Sequence, residues 1–113
     1  MNDFPFFQHH VVKIIFKESV DVDEELIDET ATLIINVFDL KVVDQGRHEF
    51  ANNGFTKFWV LSQSHLVIHS WPENNALHID LMTCIFPKIT SKVIRESLRL
   101  FSIKDIVIVT LDY

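Results

Sequence analysis

Residues 64–84 read SHLVIHSWPENNALHIDLMTC. Apolar side chains recur at every second position in residues 65–71 and again in residues 77–84, the period of a half-buried strand. Pro72-Glu73-Asn74-Asn75 separates the two runs and predicts a turn. In the second run Leu77, Ile79 and Leu81 share one face, and His78, Asp80, Met82 and Cys84 share the other. The stretch therefore reads as two strands of a sheet with one apolar face.

Working outward, residues 55–62 (FTKFWVLS) predict the preceding strand. The turn Ala51-Asn52-Asn53-Gly54 joins it to residues 40–50 (LKVVDQGRHEF), a second extended stretch with a bulge expected at Gly46. Residues 10–16 (HVVKIIF) are β-branched and aromatic and predict a strand near the N-terminus. A helix is expected over about residues 23–38, capped by Ser19 or Asp21, with Val22, Leu26, Leu33, Ile34, Val37 and Phe38 as its apolar stripe. A second helix is expected from Thr90 or Ser91 to about Phe101, with Val93, Ile94, Leu98 and Phe101 facing inward. Residues 106–111 (IVIVTL) form a continuous apolar run, which predicts a strand in the centre of the sheet. The order is β-α-β-β, then β-β-α-β. It predicts the α+β class: a two-layer sandwich of a largely antiparallel sheet with both helices on one face.

The chain has 113 residues, enough for one domain with a modest core, and no linker divides it. A net charge of −6 lacks the basic patch a nucleic-acid partner requires. No apolar run is long enough to span a bilayer, so no membrane partner is expected. The start, MNDFPFFQHH, lacks a basic segment followed by an apolar one. The single Cys excludes an internal disulfide. These features together predict a cytoplasmic protein.

Residues 64–84 also hold most of the groups suited to chemistry. His65 and His69 share a strand face but stand roughly 13 Å apart, too far to grip one ion. Spacing permits a set drawn from two strands, such as His69, Asp80 and Cys84. No C-x-x-C or H-E-x-x-H motif accompanies it, and no metal is expected. Cys84 with His69 or His65 has the makings of a thiol–imidazole pair, against the commoner role of a lone strand Cys as a small buried hydrophobe. Ser64 sits in no G-x-S-x-G context. His9 and His10, at a strand's start, read as solvated or structural. Trp71 offers a stacking face and Glu73 two acceptor oxygens at the rim of the sheet.

The string SQSHLVIHSWPE followed by LHIDLMTC resembles the prokaryotic S-adenosylmethionine decarboxylase proenzymes, whose pattern is close to E-S-H-x-x-I-H-T-W-P-E with D-x-x-x-C about ten residues on. Ser64, His65, Ile68, His69, Trp71, Pro72, Glu73, Asp80 and Cys84 match it. The resemblance implies self-cleavage between Gln63 and Ser64 into residues 1–63 and 64–113. Ser64 would become a pyruvoyl group, the covalent cofactor that forms a Schiff base with the substrate amine. It assigns His69 as the processing base, assisted by Thr56, and Cys84 as the proton donor to the carbanion left by carbon dioxide. It assigns Phe50 and Trp71 to the adenine and Glu73 to the ribose of S-adenosylmethionine. It implies a homodimer of processed protomers and a role in spermidine (polyamine) synthesis.

The sequence departs from the family pattern at Gln63, where Glu is usual, at Ile85, where Gly follows the cysteine, and at residues 51–54, where a Pro-containing turn is usual. Ser70 stands where the pattern has Thr. Two other readings fit the same scaffold: a pyruvoyl-dependent decarboxylase of another amino acid, or a non-cleaving homologue with a binding or regulatory role.

Overall fold

A computed structural model of the chain describes residues 6–85 and 87–112. Residues 1–5, part of the stretch read above for a leader, lie outside them. Among the described residues the elements run β1 (Gln8–Phe16), α1 (Glu24–Val37), β2 (Val42–Glu49), β3 (Phe55–Leu61), β4 (Ser64–Trp71), β5 (Ala76–Thr83), α2 (Ser91–Ser97) and β6 (Ile103–Asp112). One 3-10 turn, Pro72–Asn74, links β4 to β5. All six strands pair antiparallel in the order β2-β3-β4-β5-β1-β6. The α+β sandwich and its element order are those the sequence predicts. No helix among the described residues is long and apolar enough to cross a membrane.

Strand alternation separates the two faces. Val12, Ile14, Leu66, Ile68, Leu77, Ile79 and Leu81 point to the helices and are buried with Leu26, Ile27, Ile34, Ile94 and Leu98. Each fully buried aliphatic side chain contributes about 1.5–3 kcal/mol through surface removed from water. Charged groups tie α1 to the sheet: Lys57 donates to Glu24 (2.9 Å) and Asp28 (2.6 Å), and Arg47 donates to Glu24 (2.8 Å). Burial disfavours the Lys57 ammonium, but those two carboxylates outweigh it and raise its pKa.

Several local expectations change. The cap of α1 is Asp23, whose carboxylate accepts from the Leu26 amide at 3.0 Å, not Ser19 or Asp21. The stripe of α1 runs through Leu26, Ile27, Thr30, Ala31 and Ile34, and Val37 is exposed. Thr30 fits the apolar side because its hydroxyl donates to the Leu26 carbonyl of its own helix. Helix α2 has the predicted Thr90 cap but ends at Ser97, and Val93 is exposed.

Gly46 pairs regularly with Phe58, and the irregularity in β2 falls between Val42 and Asp44. What Gly46 provides is clearance: a Cβ there would lie 2.4 Å from the Phe58 ring.

The largest change concerns β6. It pairs only with β1 and lies at the sheet edge, not at its centre. Its apolar run reflects two apolar faces rather than two flanking strands. Ile106 and Ile108 pack toward the core, while Val107, Val109 and Leu111 are exposed on the side without helices. The same alternation puts exposed Phe58, Val60 and Trp71 on that open face.

Candidate active site

The candidate side chains gather at the two ends of β4. The first cluster surrounds the tight turn Ser62-Gln63 between β3 and β4, where Leu61 pairs with Ser64. Cys84 follows β5 and folds onto this turn. Its thiol donates to the Gln63 side-chain carbonyl at 3.3 Å and lies 3.6 Å from the Gln63 backbone carbonyl. A small cleft of about 120 Å³ joins Ser64, Gln63, Cys84 and Ile85 to Leu40 and Lys41. Positive φ among non-glycine residues occurs at Asp39, Asn53 and Asn75, so Ile85 follows the cysteine without a left-handed backbone. It packs partly against the core instead.

The second cluster lies at the far end of β4. Thr56 and His69 face each other across β3 and β4 and share a hydrogen bond of 2.8 Å between Oγ1 and Nδ1. His69 also stands beside His78 of β5, with ring centroids 5.9 Å apart. Burial, and then His78, lower the pKa of His69 below the ordinary 6.5, with Asp80 acting in the opposite direction. Phe50 and Trp71, both about half exposed (48% and 51%), border a cavity of about 510 Å³ with Asn52, Gly54, Thr56 and His69. Two exposed rings beside an open cavity offer flat apolar faces for a ring or a cation. Ser70, buried below them, accepts from the Phe55 amide at 2.8 Å and holds the floor of this cavity.

Glu73 reaches the same rim from the 3-10 turn. The Asn52 amide donates to its carboxylate at 2.8 Å, while the Asn52 carbonyl accepts from Gly54 N at 3.0 Å. From the sequence alone Asn52 reads only as a turn residue. Its contact with Glu73 spans 21 residues and left no local signal.

A second cavity of about 510 Å³ lies on the helix side, beside Asp28, Gln45, Arg47 and Lys57. Its charged groups are already paired with one another and with Glu24.

Thus the fold joins Ser64, Gln63 and Cys84 at one end and Phe50, Thr56, His69, Trp71 and Glu73 at the other. It does not bring these groups together within one chain. Five residues of strand place Ser64 and His69 roughly 16 Å apart. Nor do His69, Asp80 and Cys84 converge. Asp80 instead accepts from His9 (2.7 Å) and His65 (3.0 Å), two histidines that sequence reasoning left without a shared partner.

A sequence model of the S-adenosylmethionine decarboxylase family matches residues 13–112. An S-adenosylmethionine decarboxylase proenzyme of Clostridium botulinum strain Hall is 35% identical over 78 residues, 67% of each chain. The proenzyme of Prochlorococcus marinus strain MIT 9211 is 30% identical over 78 residues, 68% of this chain and 64% of its own. Among solved structures, the adenosylmethionine decarboxylase from Aquifex aeolicus VF5 superimposes with a TM-score of 0.76 at 19% identity, covering 95% of this chain and 89% of that one. At that identity the likeness speaks to the fold.

Proposed function

Because the chain belongs to the S-adenosylmethionine decarboxylase family, we propose that it is a self-processing decarboxylase of S-adenosylmethionine, acting in the cytoplasm and feeding polyamine synthesis. The observation that carries the assignment to these residues is the Cys84 thiol lying against the Gln63 backbone carbonyl, beside Ser64. Self-cleavage starts when Ser64 Oγ adds to that carbonyl and the Ser64 nitrogen leaves, which turns the peptide into an ester. Removal of the Ser64 α-proton then expels the Gln63 carboxylate. Water then adds at the α-carbon of residue 64 and ammonia leaves, so that residues 64–113 begin with a pyruvoyl group.

The neighbourhood suits such a group: it is a small cleft holding a thiol, a backbone carbonyl and the head of a strand. The pyruvoyl group supplies the electron sink that lets carbon dioxide leave. Cys84 holds the proton that replaces it, at Sγ. Phe50 and Trp71 stack the adenine and face the sulfonium, and Glu73, oriented by Asn52, accepts from the ribose hydroxyls.

His69 cannot serve Ser64 of its own chain across roughly 16 Å, since a base must reach its proton within hydrogen-bond distance. A second copy resolves this. The open face exposes Phe58, Val60 and Trp71 on β3 and β4 and Val107, Val109 and Leu111 on β6, two apolar patches flanking a histidine-rich stripe, which a partner would cover. A twofold axis between two such faces, running across the strands, lays β4 over the partner's β4 in reverse. Ser64 and Cys84 of one protomer then meet Thr56, His69, Phe50, Trp71 and Glu73 of the other. Each homodimer holds two sites.

The processed protein should release carbon dioxide from S-adenosylmethionine and none from a panel of free amino acids. Release from another amino acid with S-adenosylmethionine inert would overturn the substrate assignment. The lowered pKa of His69 also sets a pH limb. Its neutral, basic form predominates from pH 6.5 upward, so the rate of self-cleavage should have its half-fall below pH 6.5. A half-fall above pH 6.5 in a time course of intact mass would remove His69 as the base.

A further inference from the structure

We propose that His9, His65 and Asp80 form a binding site for a divalent transition-metal ion of the zinc class. The three residues come from β1, β4 and β5, adjacent strands in the sheet, and project from the open face. His9 and His65 both pair with Met82, on its two sides, so the register itself brings the imidazoles to flank one strand. Asp80, two residues before Met82, projects from the same face between them. Among the described residues this is the one group of three His, Cys, Asp or Glu whose ligand atoms all lie within 4.8 Å of one another.

The distances suit an ion. Nε2 of His9 and Nε2 of His65 stand 2.7 Å and 3.0 Å from the same Asp80 oxygen, and the rings meet edge to face at 82°. Ligands at about 2.0–2.2 Å from zinc lie about 3–3.5 Å from one another, so small ring rotations open the space required. Each imidazole then carries its proton on Nδ1 and offers the Nε2 lone pair. Asp80, whose one carboxylate oxygen meets both imidazoles, supplies the anionic ligand. Two imidazoles and one carboxylate favour zinc, cobalt or nickel over magnesium or calcium, which prefer all-oxygen shells. The three protein ligands come from paired strands, and the remaining coordination positions point off the open face, toward the partner's sheet in the proposed dimer. Because His65 directly follows Ser64, an ion here would also anchor the head of β4.

Equilibrium dialysis of the full chain against Zn(II), followed by metal analysis, should give one ion per chain. Co(II) in its place should give a visible absorption band. His9→Gln and Asp80→Asn, both at partly exposed positions, should each weaken Zn(II) binding by more than the roughly 10–100-fold typical of a lost supporting contact. His78→Gln and Cys84→Ser should bind as the wild type does. Absence of stoichiometric Zn(II), or binding unchanged in both His9→Gln and Asp80→Asn, would overturn the site. So would loss of the ion in His78→Gln or Cys84→Ser with His9→Gln unaffected. None of these readouts depends on self-cleavage or decarboxylation, so the site stands or falls apart from the proposed activity.

Discussion

Ser64→Ala is expected to stay a single full-length chain under every condition that divides the wild-type chain into residues 1–63 and 64–113. A methyl group cannot add to the Gln63 carbonyl, so the peptide never becomes an ester and the elimination that follows has no leaving carboxylate. Without a carbonyl at the head of β4, decarboxylation loses its electron sink. Enzymes accelerate reactions by at least about a millionfold, and release of carbon dioxide should fall to background. The fold should survive. Ser64 is half-buried at the first position of β4, and removing its hydroxyl leaves the paired backbone in place. Intact mass and circular dichroism on one sample check both halves of the expectation. A Ser64→Ala chain that still divides at residue 63 would place the nucleophile elsewhere.

Cys84→Ala should separate processing from turnover. A thiol is a weak donor, and Cys84 stands 3.6 Å from the Gln63 backbone carbonyl, so cleavage is expected to proceed without it. Its removal takes away the proton held for the carbanion, and a positioned general acid is worth about 10²–10⁴ in rate. The chain should therefore divide, while kcat falls by about that factor. KM should change little, because Phe50, Trp71 and Glu73 belong to the other cluster. Steady-state kinetics on fully divided protein make the comparison. An unchanged kcat would remove Cys84 as the proton donor, and a raised KM with kcat intact would make it a substrate contact.

Much of this was legible in the sequence because local periodicity and tertiary burial agree. Residues 77–83 alternate in the sequence and in the fold, with Leu77, Ile79 and Leu81 buried against the helices and His78, Asp80 and Met82 on the other face. Thr90 caps α2 as its position predicts. Misreadings occurred where one local pattern has two physical causes. A continuous apolar run marks either a strand between two others or a strand with two apolar faces, and β6 is the second kind. A glycine in a strand marks either a bulge or a close approach, and Gly46 makes room for the Phe58 ring.

The candidate site was legible as a set of residues but not as a geometry. Ser64, His69 and Cys84 fall within one short segment, yet the hairpin sends Cys84 back beside Ser64 and leaves His69 at the other end of β4. The contact of Asn52 with Glu73, and of His9 and His65 with Asp80, depend on strand register, which no single segment encodes.

In the proposed dimer each catalytic site is completed by a second copy of the chain. That completion is tested most directly by intact-mass measurement on a co-expressed pair, Ser64→Ala and His69→Ala, carrying tags of different mass. Alone, each variant stays whole, because every site lacks either the nucleophile or the base. In a mixed dimer one site regains both: Ser64 from the His69→Ala chain and His69 from the Ser64→Ala chain. The His69→Ala chain should divide into residues 1–63 and 64–113 only in the mixture, while the Ser64→Ala chain remains whole. An isolated mixed dimer in which the His69→Ala chain stays intact would contradict completion by the second copy.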